Sequence, residues 1–218
     1  MARIAIVGGH GKIALELTEQ LVAKGDTPVG LVRQQAHVDD LAERGAEAVL
    51  LDIENADEDD FAAAFDGADA VVFAAGGGAD GNIERKKSVD YAGSVKSATG
   101  AAKAGVSRFV QISAISVDEP MPSDAGEVWA AYVEAKRDAD SKLRETALDW
   151  TIIRPGGLTD DPGTGRVEVA DKVERDEIPR ADVAALVVAV IGEPKSIAKT
   201  WEAVKGNQSI AEAVAANV

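Results

Sequence analysis

The stretch Arg3-Ile4-Ala5-Ile6-Val7-Gly8-Gly9-His10-Gly11-Lys12-Ile13-Ala14 decides how the rest of the chain is read. A short apolar run, Ile4 to Val7, stops at glycines, and a helical pattern begins directly after them. Ile13, Leu17 and Leu21 recur at four-residue spacing, which marks one face of a helix. Strand, glycine turn and helix in this order can hold a dinucleotide pyrophosphate. Glycine lets the backbone turn tightly and approach the phosphate, and the unpaired N–H groups of the helix N-terminus bind the anion. The spacing Gly8-x-x-Gly11-x-x-Ala14 is looser than Gly-x-Gly-x-x-Gly, so for this stretch alone an ordinary strand-to-helix turn is the competing reading.

The same rhythm recurs downstream. Helix 1 is expected over Lys12 to Lys24, closed by Gly25 as a left-handed terminator. Gly45, Gly67 and Gly105 each follow a helix-like segment and precede an apolar run. Those runs are Val29 to Val32, Ala48 to Leu51, Ala70 to Ala74 and Arg108 to Ile112, with Trp150 to Ile153 and Lys199 to Val204 later. They are short and lack alternation, as strands covered on both faces by helices do. Strands alternating with helices predict a doubly wound α/β fold, a mostly parallel sheet with helices on both faces. With 218 residues and no linker or repeat, one domain is expected over 1–218, with a small substrate-side extension over about 155–218. Three irregular stretches break the pattern: Gly76 to Asn82, Ile115 to Gly126 and Pro155 to Pro179. All follow the carboxyl ends of expected strands, the edge where open parallel sheets bind ligands.

Composition narrows the function. A hydrophobic content of 46% supports a sizeable core. The net charge of −15 argues against a nucleic-acid partner, which needs clustered Lys and Arg. The absence of cysteine removes disulfides, thiolate zinc sites and cysteine nucleophiles together. Strand 1 begins at the third residue, so no signal peptide is expected, and Val183 to Ile191 is too short to span a bilayer. A cytoplasmic protein with no membrane partner is the expectation, with monomer and homodimer both open. His10 and His37 are the only histidines, and no metal pair follows from their spacing. Asp57 to Asp60 read as the acidic first turn of a helix rather than a calcium loop, because the loop glycine is missing.

Several residues could carry chemistry. Arg33 closes strand 2, where an acid favours NAD and an arginine suits the 2′-phosphate of NADP; a solvated strand-end arginine is the alternative. Lys12 could add a charge beside the pyrophosphate, or be solvated. His10 caps or packs within the turn. Asp52 is placed to reach the adenine amino group with Ile53 against the ring, and Ala74, Ala75 and Gly76 are small enough for a cofactor to cross. Tyr132 and Lys136, four apart on one helix face, follow Ser113 at the end of strand 5. An ammonium near a phenol favours the phenolate and lowers its pKa toward the range for proton transfer, while a serine hydroxyl can hold a carbonyl oxygen. A surface Tyr–Lys pair is the bland alternative. Trp129 either walls a pocket or packs in the core, and Asp90 is read as a bond to a neighbouring loop with no catalytic role. No Gly-x-Ser-x-Gly elbow supports serine hydrolysis.

These residues together resemble the short-chain dehydrogenase/reductase superfamily, in its small atypical branch of NmrA-like, biliverdin/flavin-reductase-like and epimerase/dehydratase proteins. The resemblance rests on Gly8-Gly9-His10-Gly11 with Ala14, Val32-Arg33, Leu51-Asp52, Ser113, Tyr132 with Lys136, Leu148 to Gly156 and Ile178 to Ala184. It implies a Rossmann domain that binds NADP(H) in preference to NAD(H), with Pro155, Gly156 and Leu158 lining the nicotinamide side. The implied cofactor set is completed by Gly8, His10, Gly11, Lys12, Ile13, Arg33, Asp52, Ile53, Ala74, Ala75 and Gly76. Tyr132 is then the expected general acid/base, Lys136 its tuner and the holder of the nicotinamide ribose, and Ser113 the group that orients a small carbonyl or alcohol substrate. His10 stands where the superfamily usually has Thr. An NADP(H)-binding sensor without turnover, and a flavin or quinone reductase that does not need the tyrosine, are the alternatives.

Overall fold

Alternate residues of the first strand, β1 (Arg3–Val7), feed two different cores. Ile4 and Ile6 pack with Ala14, Leu17 and Leu21 of α1 (Lys12–Lys24) on one face, while Ala5 and Val7 pack with Phe61, Phe65 and Phe73 on the other. A strand buried on both sides has no polar face to alternate with, which is why its sequence reads as an unbroken apolar run. The computed structural model describes residues 1–78, 81–122 and 124–218. Along the chain follow β2 (Thr27–Val32), α2 (Gln35–Glu43), β3 (Glu47–Leu50), α3 (Glu58–Ala64) and β4 (Ala70–Phe73). Next comes α4, residues 83–103, whose middle, Lys86–Gly93, is wound as a π-helix. Then come β5 (Arg108–Ile112), α5 (Glu127–Arg144), β6 (Asp149–Pro155), β7 (Gly157–Thr159), β8 (Arg166–Ala170) and β9 (Glu177–Pro179). The chain closes with α6 (Arg180–Ile191), β10 (Lys199–Lys205), β11 (Gln208–Ser209) and α7 (Ile210–Asn217).

The main sheet has nine strands in the order β11-β8-β10-β6-β5-β4-β1-β2-β3. From β3 to β10 every pair is parallel, and only β8 and β11 run antiparallel to their neighbours. Strand order reverses between β1 and β4, and ligands of open α/β sheets bind at such a reversal, beyond the carboxyl ends of the strands. The α/β architecture is therefore the expected one. α1 and α6 cover one face, with Val183, Leu186, Val187 and Val190 buried there; α3, α4 and α5 cover the other. The acidic run at Asp57 forms a capping box: Asp57 accepts the amides of Asp59 and Asp60, and Asp60 returns a bond to Asp57 N–H.

The stretch Pro155 to Pro179 is more regular than expected. It holds β7 and β9, which pair with each other, and β8, which adds to the sheet beside β10. In β8 Val167 and Val169 are buried between exposed Arg166 and Glu168. That is a period-two strand at the edge, hidden by the glycines and prolines around it. Among the described residues no helix is long and apolar enough to cross a membrane.

Candidate functional site

The glycine turn places a backbone, not a side chain, at the site. Gly8 sits at φ +80°, and a Cβ there would lie 2.7 Å from Ala75 Cα, so only glycine lets β1 turn this close to the end of β4. Gly11 N–H donates to the Gly8 carbonyl at 2.9 Å and forms the N-cap of α1. No side chain caps that helix and its first turn holds no acid. Its leading amides are thus left for an outside acceptor, and the helix dipole favours an anion there.

Two clefts meet at this corner and share Ala74, Ala75 and Gly76. The smaller, about 200 Å³, is lined by Gly8, His10, Gly11, Arg33, Asp52 and Ile53, among others. The larger, about 750 Å³, is lined by Ile13, Ser113, Tyr132, Lys136 and Leu158 and adds Lys86, Asp90, Trp129 and Arg180. A groove of this shape fits an extended dinucleotide: amides for its pyrophosphate at the centre, an adenosine-sized recess on one side and an open reactive cleft on the other.

In the smaller cleft Arg33 is exposed and makes no ion pair with a described residue. Asp52 accepts the Glu54 amide at 3.1 Å and Asn55 Nδ2 at 2.7 Å, which folds its own loop. His10 stacks on His37 with centroids 3.7 Å apart, and its Nε2 lies 2.8 Å from Asp40 Oδ2. Burial lowers the His37 pKa, and the neighbouring His10 and Arg33 lower it further. His37, in the first turn of α2, belongs to this wall, where the sequence had been weighed only for a metal pair.

In the larger cleft Tyr132 and Lys136 share the helix face that their spacing requires, with Lys136 Nζ 5.9 Å from the Tyr132 ring centroid. The expected electrostatics do not follow. Lys136 is only 5% exposed and Asp90 0%, and Lys136 Nζ lies 3.2 Å from Asp90 Oδ1. Burial pulls the Lys136 pKa down, but Asp90, and then Tyr132, outweigh it and leave it raised. The Tyr132 pKa is also raised: burial is the largest cause, Lys136 opposes it, and Asp90 and Asp140 add to it. The lysine does draw the phenol down, but burial outweighs it, and Asp90, paired with the same lysine, works against it. Asp90 does bond to the neighbouring loop, accepting the Gly77 amide at 2.8 Å, and its pairing with Lys136 is what the sequence could not show. The π turn of α4 carries both Asp90 and Lys86 to the cleft, a register no helical periodicity announces.

Ser113 lines the larger cleft but donates its hydroxyl to Asp140 Oδ2 at 2.9 Å. Asp140 also accepts Gln111 Nε2 at 2.7 Å and Arg154 Nε at 2.9 Å. An ionised carboxylate only accepts, so the serine hydrogen is committed inward. Burial raises the Asp140 pKa against these partners. Trp129 is a pocket wall rather than core, 41% exposed and 5.5 Å from the Tyr132 ring. Three expected cofactor residues stand away from both clefts. Lys12 is drawn outward to Asp160. Pro155 is buried in β6 beside Ala203 of β10, and Gly156 is buried with its amide on the Ala203 carbonyl at 2.9 Å. Of that segment Leu158 alone lines the cleft. Among the described residues no cluster of His, Asp or Glu could hold a metal ion.

A doubly wound parallel sheet whose first turn opens an uncapped helix onto a groove at the strand-order reversal defines a nucleotide-binding Rossmann domain. The chain belongs to the NAD(P)H-binding family, whose model matches residues 8–194. It is 35% identical to the uncharacterized sugar epimerase YhfK of Bacillus subtilis, over 97% of this chain and 98% of that one. It is 37% identical to the UPF0659 protein YMR090W of Saccharomyces cerevisiae, over 94% of each. A solved structure of a candidate NAD-dependent epimerase/dehydratase from Bacillus halodurans superposes with a TM-score of 0.91 at 34% identity, covering 99% of this chain and 100% of that one.

Proposed function

We propose that the chain is an NADP(H)-dependent oxidoreductase or epimerase-like enzyme that works by hydride transfer on a carbonyl or alcohol substrate. The observation that carries this reading is the position of Tyr132. Its hydroxyl makes no hydrogen bond to a described residue, and its side chain lines the larger cleft where that cleft joins the nucleotide groove at Ala74, Ala75 and Gly76. The names borne by the two Bacillus relatives, a sugar epimerase and an epimerase/dehydratase, fit a substrate of that kind.

In this reading the uncapped amides after Gly11 take the pyrophosphate, Arg33 takes a 2′-phosphate, and Asp52 and Ile53 flank the adenine. Ala74, Ala75 and Gly76 let the nucleotide pass from the smaller cleft to the larger. When bound, the nicotinamide supplies or accepts the hydride. Tyr132 exchanges the proton at the substrate oxygen. Ser113 offers an acceptor to a substrate hydroxyl, and can donate to a carbonyl only by releasing Asp140. Val128, Trp129 and Leu158 form an apolar rim that limits water around the reacting carbon.

Tyr132→Phe tests the reading directly. Carbonyl reduction is expected to fall by about 100-fold or more, the usual contribution of a positioned acid, with NADPH affinity unchanged within about twofold. Fluorescence titration reads the binding and NADPH oxidation reads the turnover. A wild-type protein that binds neither nicotinamide nucleotide removes the proposal, and a variant that turns over like wild type moves it to flavin or quinone reduction.

A further inference from the structure

The buried Lys136 ammonium faces three oxygens of the protein. Its Nζ is 3.2 Å from Asp90 Oδ1, 3.2 Å from the Ile112 carbonyl and 3.4 Å from the Ala75 carbonyl. Its hydrogen bonds go to the two carbonyls, and Asp90 Oδ1 is its ion-pair partner. The second oxygen of Asp90 is held by the Gly77 amide, which fixes the carboxylate in place. We propose that Asp90 is a positioning residue: it pairs with the buried Lys136 ammonium beside Tyr132 and damps the pull of that charge on the phenol.

Charges from each element packed around the phenol act on it beside burial. From α5 come Lys136 and Asp140, and from α4 come Asp90 and Lys86, whose Nζ lies 5.7 Å from the Tyr132 centroid and donates to the Gly78 carbonyl. Arg154 of β6 is engaged by Asp140 and Asp118, and Arg180 across the cleft is engaged by Asp160. Two lysines alone would favour the phenolate; Asp90, bonded to one of them, and Asp140 offset them, and burial then favours the neutral phenol. In the reductive direction the substrate carbon accepts a hydride from a reduced nicotinamide nucleotide while its oxygen takes the Tyr132 hydrogen. The tyrosine O–H bond breaks, the alcohol O–H bond forms, and the phenolate regains its proton from water in the open cleft.

The chain has two tyrosines, Tyr91 and Tyr132, so the phenol can be titrated by its near-ultraviolet absorbance, with Tyr132→Phe identifying the step that belongs to Tyr132. The proposal rests on Tyr132 being the proton donor, but this titration needs neither cofactor nor substrate, so either idea can fail while the other stands. In wild type the Tyr132 step is expected above the ordinary value of 10.0. Asp90→Asn leaves the Lys136 charge unbalanced and should bring the step down by about one to two units, with Asp90→Glu restoring it. A purely structural Asp90 would lower the melting temperature and leave the step in place, which overturns the proposal. If Asp90→Asn does not fold, the neutral pair Asp90→Asn with Lys136→Gln replaces it. Its Tyr132 step should stay within about half a unit of wild type, whereas a rise of more than about one unit shows that the lysine charge acts on the phenol undamped and overturns the proposal.

Discussion

The two halves of the groove are built on opposite plans. In the smaller cleft the charged group at the wall, Arg33, is exposed and makes no ion pair with a described residue, and the N-terminus of α1 after Gly11 is bare backbone. In the larger cleft the polar groups are buried and already paired: Lys136 with Asp90, Ser113 with Asp140, Lys86 with the Gly78 carbonyl. Tyr132 is the exception, with its hydroxyl free of described partners. One half waits for charge brought from outside, while the other is electrically balanced before anything binds. The difference teaches that a catalytic-looking spacing says which side chains meet, and that their partners decide what they can do.

Removing one member of a balanced pair should hurt the fold; removing an outward-facing charge should hurt only binding. The largest effect is expected for Lys136→Met, which strands the Asp90 carboxylate in a dry interior and should cost about 3–5 kcal/mol of unfolding free energy in urea titration. A loss below about 1 kcal/mol, the size of a surface pair, would mean that the Lys136–Asp90 pair is not buried in the way described. Arg33→Asp should leave stability within about 0.5 kcal/mol. It should weaken NADPH by about 10- to 100-fold and NADH by less than about threefold, read by fluorescence titration. Equal losses for both nucleotides would remove Arg33 from the 2′-phosphate. The smallest effect belongs to His37. Burial holds its folded pKa below the ordinary imidazole value of 6.5, so the unfolded chain binds the proton more readily, and the stability it contributes is lost as pH falls through 6.5 toward the folded value. His37→Gln should show a shallower decline than wild type over that window in pH-dependent thermal unfolding.

Much of the fold was legible because its signals are local. The run at Ile4 to Val7, the face of Ile13, Leu17 and Leu21, and the glycine terminators each act within one or two turns of chain, and helix 1 ends at Gly25 in the left-handed conformation as read. β8 was missed because its two buried valines alternate within a stretch dominated by turn residues, and its place depends on β10, some thirty residues away in sequence. At the site, the glycine turn and the Tyr132–Lys136 face were readable from spacing. Asp90 was not, because the π turn that aims it at Lys136 has no sequence period of its own. That Lys12, Pro155 and Gly156 lie outside both clefts was not readable for a related reason: their partners Asp160 and Ala203 are brought to them only by the folded sheet.

By itself the sequence determined the alternation of strands and helices through β6, the parallel sheet and the glycine turn that opens α1, because periodicity, glycine and helix ends act over short range. Only the tertiary structure decided which buried charges face one another around Tyr132. Electrostatics depends on distance and burial, and the groups that set it come from α4, β5 and α5, elements the chain brings together only after it has folded.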